Sequence, residues 1–383
     1  RSPIIEPYRN LGLLVVVLFC AYIILINLKN QIELSFSVNE ILLIFFIVYM
    51  LFSITWSEYR YAVMKEGLIV LICSIIGYLV TRTLSFKQFL NQLFFSYSIV
   101  ILISILTVIF FPENGLDSHG DWKGIFAQKN VFAINISFYC IILTIYLLDS
   151  KKNSYRLFYF LLLLFSVFAL LQTSSSTALI VTIISIYFIF TLIILIILPI
   201  HSLLKTSLLV FSSLITCTII YISVLYLQDI FSLLGKDSTL TGRSYIWEMA
   251  LQGFLKHPII GSGIQSFWYN YKLGINNYYL PWGQPVWHAH NALIDLLLQY
   301  GVIGLILFIS LYVRNIAVAL KILRTRDIKL LFSLLFLFFL ILINLTESYL
   351  FAIEINFFFI FICITGYLSR DLKYQSKLKN YNS

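Results

Sequence analysis

Charged side chains are scarce in this chain of 383 residues: Asp, Glu, Lys and Arg make up 11% of it, against roughly 25% in a soluble domain. Most side chains must therefore face a medium other than water, which excludes an ordinary soluble protein. Apolar runs of about 20 residues recur along the sequence, and runs of that length cross a lipid bilayer as helices. The net charge of +9 is typical of cationic cytoplasmic loops and does not indicate a nucleic-acid partner.

Other features are missing as well. The apolar runs do not alternate with polar residues, which excludes a membrane β-barrel. The 5 cysteines are widely separated within apolar runs, so neither a disulfide framework nor a metal site is indicated. No internal repeat is visible, whereas many transporters are built from one. The sequence thus predicts an all-α, polytopic transmembrane helical bundle.

The lengths of the apolar runs predict about eleven spans. They cover residues 11–28, 36–54, 64–81, 89–111, 130–148, 156–173, 177–199, 206–227, 291–313, 329–346 and 349–368. Because the first residue is Arg1 rather than Met, we expect that an N-terminal piece is missing. One further span there would give about twelve and would place both termini inside the cell.

Lys and Arg concentrate in one set of alternate loops, a distribution that marks cytoplasmic loops. This set includes Arg82, Lys87, Lys151, Lys152, Arg314, Lys321 and Arg370. The C-terminus is therefore expected in the cytoplasm and the long loop on the opposite side. The chain divides into N-terminal transmembrane helices, 1–228, a long loop, 229–290, and C-terminal transmembrane helices with a tail, 291–383.

The long loop holds most of the 6 Trp residues of the chain. Within it, Tyr245 to His257 is predicted to form a short helix that Pro258 ends. Gly261-Ser262-Gly263 is predicted to form a turn. A long polar and aromatic segment among spans is where we expect a functional site.

Arg243 lies in this loop and keeps its charge at any relevant pH, with a planar group that matches phosphate. On the outer side of a membrane, the phosphate-bearing substrate would be a lipid-linked pyrophosphate. The alternative role for Arg243 is an interfacial anchor or an ion pair with Glu248. Glu347 is an ionisable residue beside a span that could pair with a basic residue, and the sequence names no partner for it.

His288 and His290 end the loop, next to Asn291. A histidine at this place can act as a general base toward a sugar hydroxyl, because its reference pKa is about 6.5. A metal site is not expected, since no carboxylate or third histidine lies beside the pair in the sequence. Asn291 is predicted to cap the following helix, and a structural place in that cap is the alternative role for this segment.

Five more residues are candidates for substrate binding: Lys129, Asn130, Arg60, Lys65 and Trp247. Lys129 can bind phosphate as a point charge, and Asn130 can cap a helix or contact sugar hydroxyls. A lysine at a membrane surface is more often an interfacial anchor, and this alternative applies to Arg60 and Lys65 too. Trp247 could stack on a sugar ring or belong to the aromatic belt of the membrane interface.

Two stretches have the spacing of known motifs. In the first, His290-Asn291 is followed by Gly301 and Gly304 in an apolar run. In the second, Gly242-Arg243 and Trp247 precede His257-Pro258 and Gly261-x-Gly263. Both stretches resemble signatures of the O-antigen ligase and O-antigen or exopolysaccharide polymerase family of bacterial inner membranes.

A third stretch, Lys123-Gly-Ile-Phe with Lys129-Asn130, looks like an element of the exopolysaccharide-polymerase branch. Ser174-x-Ser176-Thr177 and Trp56-Ser57 are similar to weaker positions of the family. Many relatives have an arginine after the serine of the Ser174 element, where this chain has Ser and Thr. A second phosphate-binding cation would then be Lys129, with Arg60 or Lys65 as alternatives.

The resemblance implies a membrane glycosyltransferase with its site on the periplasmic face of the bacterial inner membrane, working without a metal, a cofactor or a nucleotide sugar. It would transfer or polymerise oligosaccharide units carried on undecaprenyl pyrophosphate. Arg243 would bind the pyrophosphate, and His290 would orient or deprotonate the acceptor hydroxyl. The implied partners are the lipid-linked glycan, the bilayer, and a chain-length regulator or flippase of the same pathway.

Several functions stay open at this point. A polymerase, whose acceptor is another lipid-linked unit, is favoured by the Lys129-Asn130 element over a ligase, whose acceptor is lipid A–core or a protein. A transporter of lipid-linked glycans is a more distant alternative, because few charges lie within the predicted spans. A purely structural membrane protein would leave Arg243 and His290 without a role.

Overall fold

In the computed structural model, the residues described are 36–197, 240–272, 286, 288–322, 328–350 and 355–381, together with Leu204, Ser207 and Phe211. Within these residues the chain folds into helices joined by turns. The extended backbone pairs there only at an isolated antiparallel bridge between Leu116 and Trp122. The prediction of an all-α fold is confirmed.

The helices follow one another along the chain as α1 (Val38–Phe52), α2 (Arg60–Thr83), α3 (Phe86–Phe110), α4 (Pro112–Gly115), α5 (Lys129–Asp149), α6 (Asn153–Gln172), α7 (Ser176–Ile197), α8 (Leu240–Lys256), α9 (Ser266–Lys272), α10 (Ala292–Ile322), α11 (Ile328–Thr346) and α12 (Ile355–Tyr381). A 3₁₀ turn, Ser53–Thr55, follows α1.

Among the described helices, 7 are long and apolar enough to cross a membrane, and α11 and α12 contain the shorter apolar stretches Leu330–Thr346 and Asn356–Arg370. These helices coincide with the spans predicted between 36 and 199 and between 291 and 368, with shifts at their ends. The spans predicted at 11–28 and 206–227 lie outside the described residues, apart from Ser207 and Phe211. The prediction of a multi-pass membrane bundle is confirmed.

Helix α5 lies at the centre of the bundle, with 89% of its apolar span buried inside the protein. It packs against α3, α6, α7 and α11. Helix α6 lies at the edge, with 17% of its apolar span buried. Its exposed side chains include Leu157, Leu161, Leu164, Phe165 and Phe168. These side chains suit a lipid environment, because lipid tails are as apolar as leucine.

Polar side chains inside the bundle are paired with one another. Glu40 of α1 forms an ion pair with Arg82 of α2 at 2.7 Å. Asn39 accepts a hydrogen bond from Nε of Arg314 at 2.7 Å and donates one to Asn315 at 2.8 Å. Ionisable groups within membrane segments are costly unless they are paired. These contacts join α1 to α2 and α10 at one end of the bundle.

Helix α10 differs from the uninterrupted span that the sequence predicted. It consists of two helical segments joined at Gly301, whose φ is 62° and ψ is −164°. Glycine adopts this left-handed conformation without the steric cost that a Cβ atom brings. The kink prevents backbone groups on either side of Gly301 from bonding within the helix, so those groups need other partners.

The glycine turn, residues 257–263, supplies these partners. Four N–H groups donate across the junction to carbonyl oxygens: Val302 to Pro258 (3.0 Å), Ile303 to Ile259 (3.2 Å), Ser262 to Leu298 (3.0 Å) and Gly263 to Gln299 (2.9 Å). The approach is so close that a Cβ atom at Gly301 would lie 2.4 Å from the carbonyl oxygen of Ile259. The motif glycines therefore fix the end of α8 against α10.

Candidate active site

Three segments meet at the candidate active site: helix α8, the histidine turn (residues 288–291), and the acidic segment (residues 347–350). Helix α8 begins earlier than the predicted helix from Tyr245 to His257 and ends at Lys256, before Pro258. It packs against α10, which the histidine turn directly precedes. The acidic segment follows α11, which also packs against α10.

Glu347 joins the two residues that the sequence put forward as catalytic. Its Oε2 lies 2.7 Å from Nδ1 of His290, and its Oε1 lies 3.3 Å from Nη2 of Arg243. The exposed fraction of the side chain is 7% for Glu347, 24% for Arg243 and 33% for His290. We call these three residues the ionic triad. A buried carboxylate thus holds two side chains that remain partly exposed at the protein surface.

The triad corrects two expectations from the sequence. Glu248, the alternative partner of Arg243, is exposed, and Arg243 pairs with Glu347 instead. The expectation that no carboxylate lies beside the histidines is wrong for the folded protein. Glu347, which is 57 residues from His290 in the sequence, contacts it in the structure. Only the packing of α8, α10 and α11 brings these groups together.

Glu347 acts as an ionised hydrogen-bond acceptor. Burial alone would raise its pKa, but the hydrogen bond from His290, together with electrostatic interactions with His290, His288 and Arg243, holds the pKa of Glu347 below its usual value. An ionised carboxylate can only accept hydrogen bonds. Nδ1 of His290 must therefore carry the hydrogen and donate it. In the neutral form of the ring, Nε2 is then the accepting nitrogen, available to a substrate hydroxyl.

His288 is buried and supports the turn. Its Nδ1 accepts a hydrogen bond from the backbone N–H of His290 at 3.1 Å, and the two imidazole centroids lie 4.0 Å apart. Burial, together with the charges of His290 and Arg243, lowers the pKa of His288 to about 3. His288 is therefore neutral near pH 7, as an accepting nitrogen requires.

Asn291 and Trp247 hold the two ends of the histidine turn. Oδ1 of Asn291 accepts hydrogen bonds from the N–H groups of Leu293 at 3.0 Å and Ile294 at 3.2 Å, which confirms the predicted cap. Nε1 of Trp247 donates to the carbonyl oxygen of Ala289 at 2.8 Å. Trp247 also packs against an apolar cluster formed by α8, α9 and the start of α10. In this arrangement its indole supports the turn.

Asp295 lies directly beneath the turn and is fully buried. Its Oδ2 accepts a hydrogen bond from the N–H of Ala289 at 3.0 Å, and its Oδ1 accepts one from Nε1 of Trp268 at 2.6 Å. The hydroxyl of Ser348 also donates to Asp295. Neither Asp295 nor Ser348 was predicted from the sequence. The available signal was a carboxylate within an apolar span, which is rare without a function.

His288, His290 and Glu347 also form a group whose potential metal-ligand atoms lie within 4.8 Å of one another. By residue type this set is compatible with a transition metal ion. One nitrogen of each imidazole is already used in a hydrogen bond, since Nδ1 of His290 donates to Glu347 and Nδ1 of His288 accepts from the backbone. These bonds explain the arrangement without an ion, and we therefore treat the group as a hydrogen-bonded network.

Lys129 and Asn130 are the first two residues of α5. Lys129 forms ion pairs with Asp121 and, at 3.4 Å, with Asp117. The hydroxyl of Tyr349 donates to the carbonyl oxygen of Asn130 at 3.1 Å. The N-terminus of α5 therefore lies beside the acidic segment, with the charge of Lys129 shared between two carboxylates.

Arg60 and Lys65 lie in the first two turns of α2, and Arg60 is exposed. Helix α2 packs against α9 and α12. Among the contacts of the described residues, none joins Arg60 or Lys65 to the ionic triad. Their contribution to substrate binding stays a prediction.

The central part of the chain is similar to known proteins. Residues 159–309 match the family model described as O-antigen ligase. Over 292 residues the chain is 25% identical to the "Exopolysaccharide production protein ExoQ" of Rhizobium meliloti (strain 1021), a match that covers 74% of this chain and 66% of that protein. The match thus spans less than two thirds of the relative's length.

The matched range of the family model includes Arg243, the histidine turn and Gly301, whereas Glu347 and Lys129 lie outside it. The two motifs that contain Arg243 and His290 therefore lie within the matched range, whereas the Lys123–Asn130 element lies before it. Residues 159–309 of this multi-pass membrane protein thus match the O-antigen ligase family model, and the chain's resemblance to the O-antigen ligase and polymerase family is confirmed.

Proposed function

We propose that this protein is a glycosyltransferase that moves an oligosaccharide from undecaprenyl pyrophosphate to an acceptor hydroxyl, on the periplasmic face of the bacterial inner membrane. The observation that carries the proposal is the ionic triad. It combines a cation suited to phosphate with a histidine whose open nitrogen can take a proton. The similarity to O-antigen ligases supports the substrate class.

Arg243 binds the pyrophosphate in this proposal. Its contact with Glu347 is 3.3 Å long, whereas a strong charge-assisted bond measures about 2.7–2.9 Å. The guanidinium has further N–H groups that can donate to phosphate oxygens while one remains near Glu347. The positive charge then stabilises the negative charge that develops on the leaving pyrophosphate.

His290 acts as the general base. The acceptor oxygen forms a bond to the anomeric carbon while its proton passes to Nε2 of His290. The bond between that carbon and the pyrophosphate oxygen breaks, and its electron pair stays with the pyrophosphate. Glu347 stabilises the imidazolium that results, because its carboxylate accepts from Nδ1 at 2.7 Å. A single displacement of this kind inverts the anomeric configuration.

Within this reaction we infer a polymerase, whose acceptor is a second lipid-linked unit. The similarity to an exopolysaccharide production protein supports it, as does the position of Lys129 and Asn130 beside the acidic segment. A ligase that transfers to lipid A–core or a protein is the alternative, supported by the description of the family model. A chain-length regulator or flippase of the same pathway is the proposed protein partner.

A deletion strain complemented with the wild-type chain, Arg243→Ala or His290→Ala separates these functions. Surface glycan and undecaprenyl-linked intermediates are resolved by size. Single units on lipid A–core without long chains indicate a polymerase, and long chains left on the lipid carrier indicate a ligase. Full-length surface glycan in both variants would refute the site. Lipid-linked glycan that stays on the cytoplasmic side of the inner membrane would indicate a transporter.

Lys129 is proposed as the second phosphate-binding cation. Lys129→Ala should then raise the KM for the lipid-linked donor more than it lowers kcat, because the lost contact is made in the bound ground state as well. Lys152→Ala, at an exposed lysine between α5 and α6, is the matched control. An unchanged KM would assign Lys129 to its ion pairs with Asp117 and Asp121 alone.

The proposed steps use no metal ion, so chelation with EDTA should leave turnover unchanged. A loss of turnover that one divalent ion restores would instead assign an ion to the histidine turn and Glu347.

A further inference from the structure

We propose that Asp295 is the positioning residue for His290 and Glu347, through hydrogen bonds to the backbone of the histidine turn and to Ser348. This role rests on the proposed function, because it concerns the geometry of the same base. Asp295 itself lies beneath the turn and is fully buried, so it acts through its neighbours and not on the substrate.

The backbone of the histidine turn is strained at His290. His290 has a φ of 50°, a left-handed conformation that is uncommon for a residue with a Cβ atom and that strains the backbone. The surrounding contacts must therefore hold it in place. The N–H of Ala289 donates to Asp295 at 3.0 Å, and the N–H of Asn291 donates to the hydroxyl of Ser348 at 3.1 Å.

The hydroxyl of Ser348 itself donates a hydrogen bond to Asp295. Asp295 thus holds the peptide group between His288 and Ala289 directly and the one between His290 and Asn291 through Ser348. Ser348 is also the neighbour of Glu347 in the chain. The same buried side chain therefore ties down both partners of the 2.7 Å bond between His290 and Glu347.

Asp295 is itself held in place by a hydrogen bond from Trp268. Its other oxygen accepts from Nε1 of Trp268 at 2.6 Å, and Trp268 is itself buried in α9. All three described partners are donors, which matches the acceptor-only behaviour of a carboxylate. Burying such a group is costly unless its partners are in place. Asp295 is therefore well suited to fix a strained turn in one geometry.

The test is the isosteric substitution Asp295→Asn. It replaces one carboxylate oxygen by an amide group, which faces either Trp268 at Oδ1 or both Ala289 and Ser348 at Oδ2. At least one donor then loses its acceptor, while the volume of the side chain is kept. Because a misplacement of about 1 Å can cost about 100-fold in rate, kcat should fall at least about tenfold. The KM for the lipid-linked donor should change less than about twofold, because Arg243 lies on α8 and makes no described contact with Asp295.

Ser348→Ala is the second variant, because it removes the link from Asp295 to Asn291 and keeps the buried carboxylate. It should show the same loss of kcat at nearly constant KM, which keeps the proposal testable if Asp295→Asn does not fold. Glu248→Gln, at an exposed carboxylate on α8, should match the wild type.

Two results would overturn the proposal: unchanged kcat in the variants, or a parallel loss of kcat and of donor affinity, which would assign Asp295 only to the fold. Failure of the proposed function has a different signature. In that case the wild-type protein itself would not consume the lipid-linked donor, and Arg243→Ala would change nothing.

Discussion

At the scale of single residues, Glu347 is a buried carboxylate with two unequal partners. A buried charge without a partner is strongly destabilising, and His290 and Arg243 together offset that cost. The bond to His290 is 2.7 Å long and the contact with Arg243 is 3.3 Å long. The carboxylate is therefore held more closely by the base than by the cation. This order suits a site where the arginine turns toward an incoming pyrophosphate while the base stays oriented.

Replacing this carboxylate should impair catalysis more than stability. Glu347→Gln removes the charge that stabilises the imidazolium of His290 and offers an N–H group where an acceptor is needed. By analogy with other buried carboxylates that orient a catalytic histidine, kcat should fall about 100-fold or more. Turnover of a lipid-linked donor by the purified protein measures this, with Glu248→Gln as the control. Wild-type turnover in Glu347→Gln would show that His290 needs no carboxylate.

His288 should make the folded protein sensitive to mild acid. Burial lowers its pKa to about 3 in the folded protein, whereas the value in an unfolded chain is about 6.5. Between these values the unfolded state binds a proton that the folded state does not, so the free energy of unfolding decreases as pH falls. The decrease from about pH 7 to about pH 5 is about 2 kcal/mol.

Thermal unfolding of the detergent-purified protein at these two pH values measures the effect. His288→Asn should lose most of the difference in Tm, because the side chain that titrates is gone. The same acid-induced shift in the wild type and in the variant would assign the sensitivity to another group.

The sequence put Arg243 and His290 forward as candidates, because phosphate binding and proton transfer follow from residue type and both residues stand in motifs. It was not sufficient to predict their arrangement. Glu347 lies 104 residues from Arg243 and 57 from His290 along the chain, and such distant contacts leave no local pattern. Asp295 was overlooked because the apolar residues around it predicted only a span.

At the scale of helices and turns, the junction between α10 and the glycine turn sets the distance between Arg243 and His290. One residue stands on each side of the junction, Arg243 on α8 before the turn and His290 just before α10. Gly261 and Gly301 are thus explained by backbone contact between two segments and not by contact with a substrate. A Cβ atom at either would lie 2.4 Å from backbone atoms of the other segment and would push the two segments apart.

Gly301→Ala tests this directly. The new Cβ atom would lie 2.4 Å from the carbonyl oxygen of Ile259 at a φ of 62°, so the variant should lose more than about 2 kcal/mol of stability. Gly120→Ala is the matched control, because Gly120 has a φ of 81° with nothing within 4 Å of the new atom. Comparable Tm values for the two variants would mean that backbone strain, and not the close approach, accounts for the glycine.

The helices themselves were largely predictable, since an apolar run of about 20 residues specifies a span by its length. The kink in α10 was not, because Gly301 stands in an apolar run that continues on both sides. The kink has a tertiary cause, because the glycine turn supplies the hydrogen bonds that it needs. The turn is distant in sequence: Ser262 bonds to Leu298 across 36 residues.

At the scale of the whole molecule, the proposed reaction requires that the ionic triad open on the periplasmic side. The excess of Lys and Arg in one set of loops predicts this orientation. His257 is exposed and lies at the start of the glycine turn. Lys152 is exposed and lies in a loop that is predicted to be cytoplasmic. Their positions can therefore report the orientation of the bundle.

Single cysteines provide the measurement, in a chain whose 5 native cysteines are replaced by alanine. His257→Cys should react with a membrane-impermeant maleimide when only the outer membrane is permeabilised. Lys152→Cys should react only after the inner membrane is opened as well. The reverse pattern would place the triad on the cytoplasmic side, where the proposed donor is not expected.

The most direct test of glycosyl transfer at the ionic triad is turnover of an undecaprenyl-pyrophosphate-linked repeat unit by the purified protein. The release of undecaprenyl pyrophosphate and the size of the product are the two readouts. Arg243→Ala and His290→Ala should each lower turnover at least about 100-fold, through loss of the charge on the leaving group and of the base. Arg156→Ala and His119→Ala, at exposed positions, should match the wild type. Turnover at the wild-type rate in both triad variants would contradict the assignment of the active site.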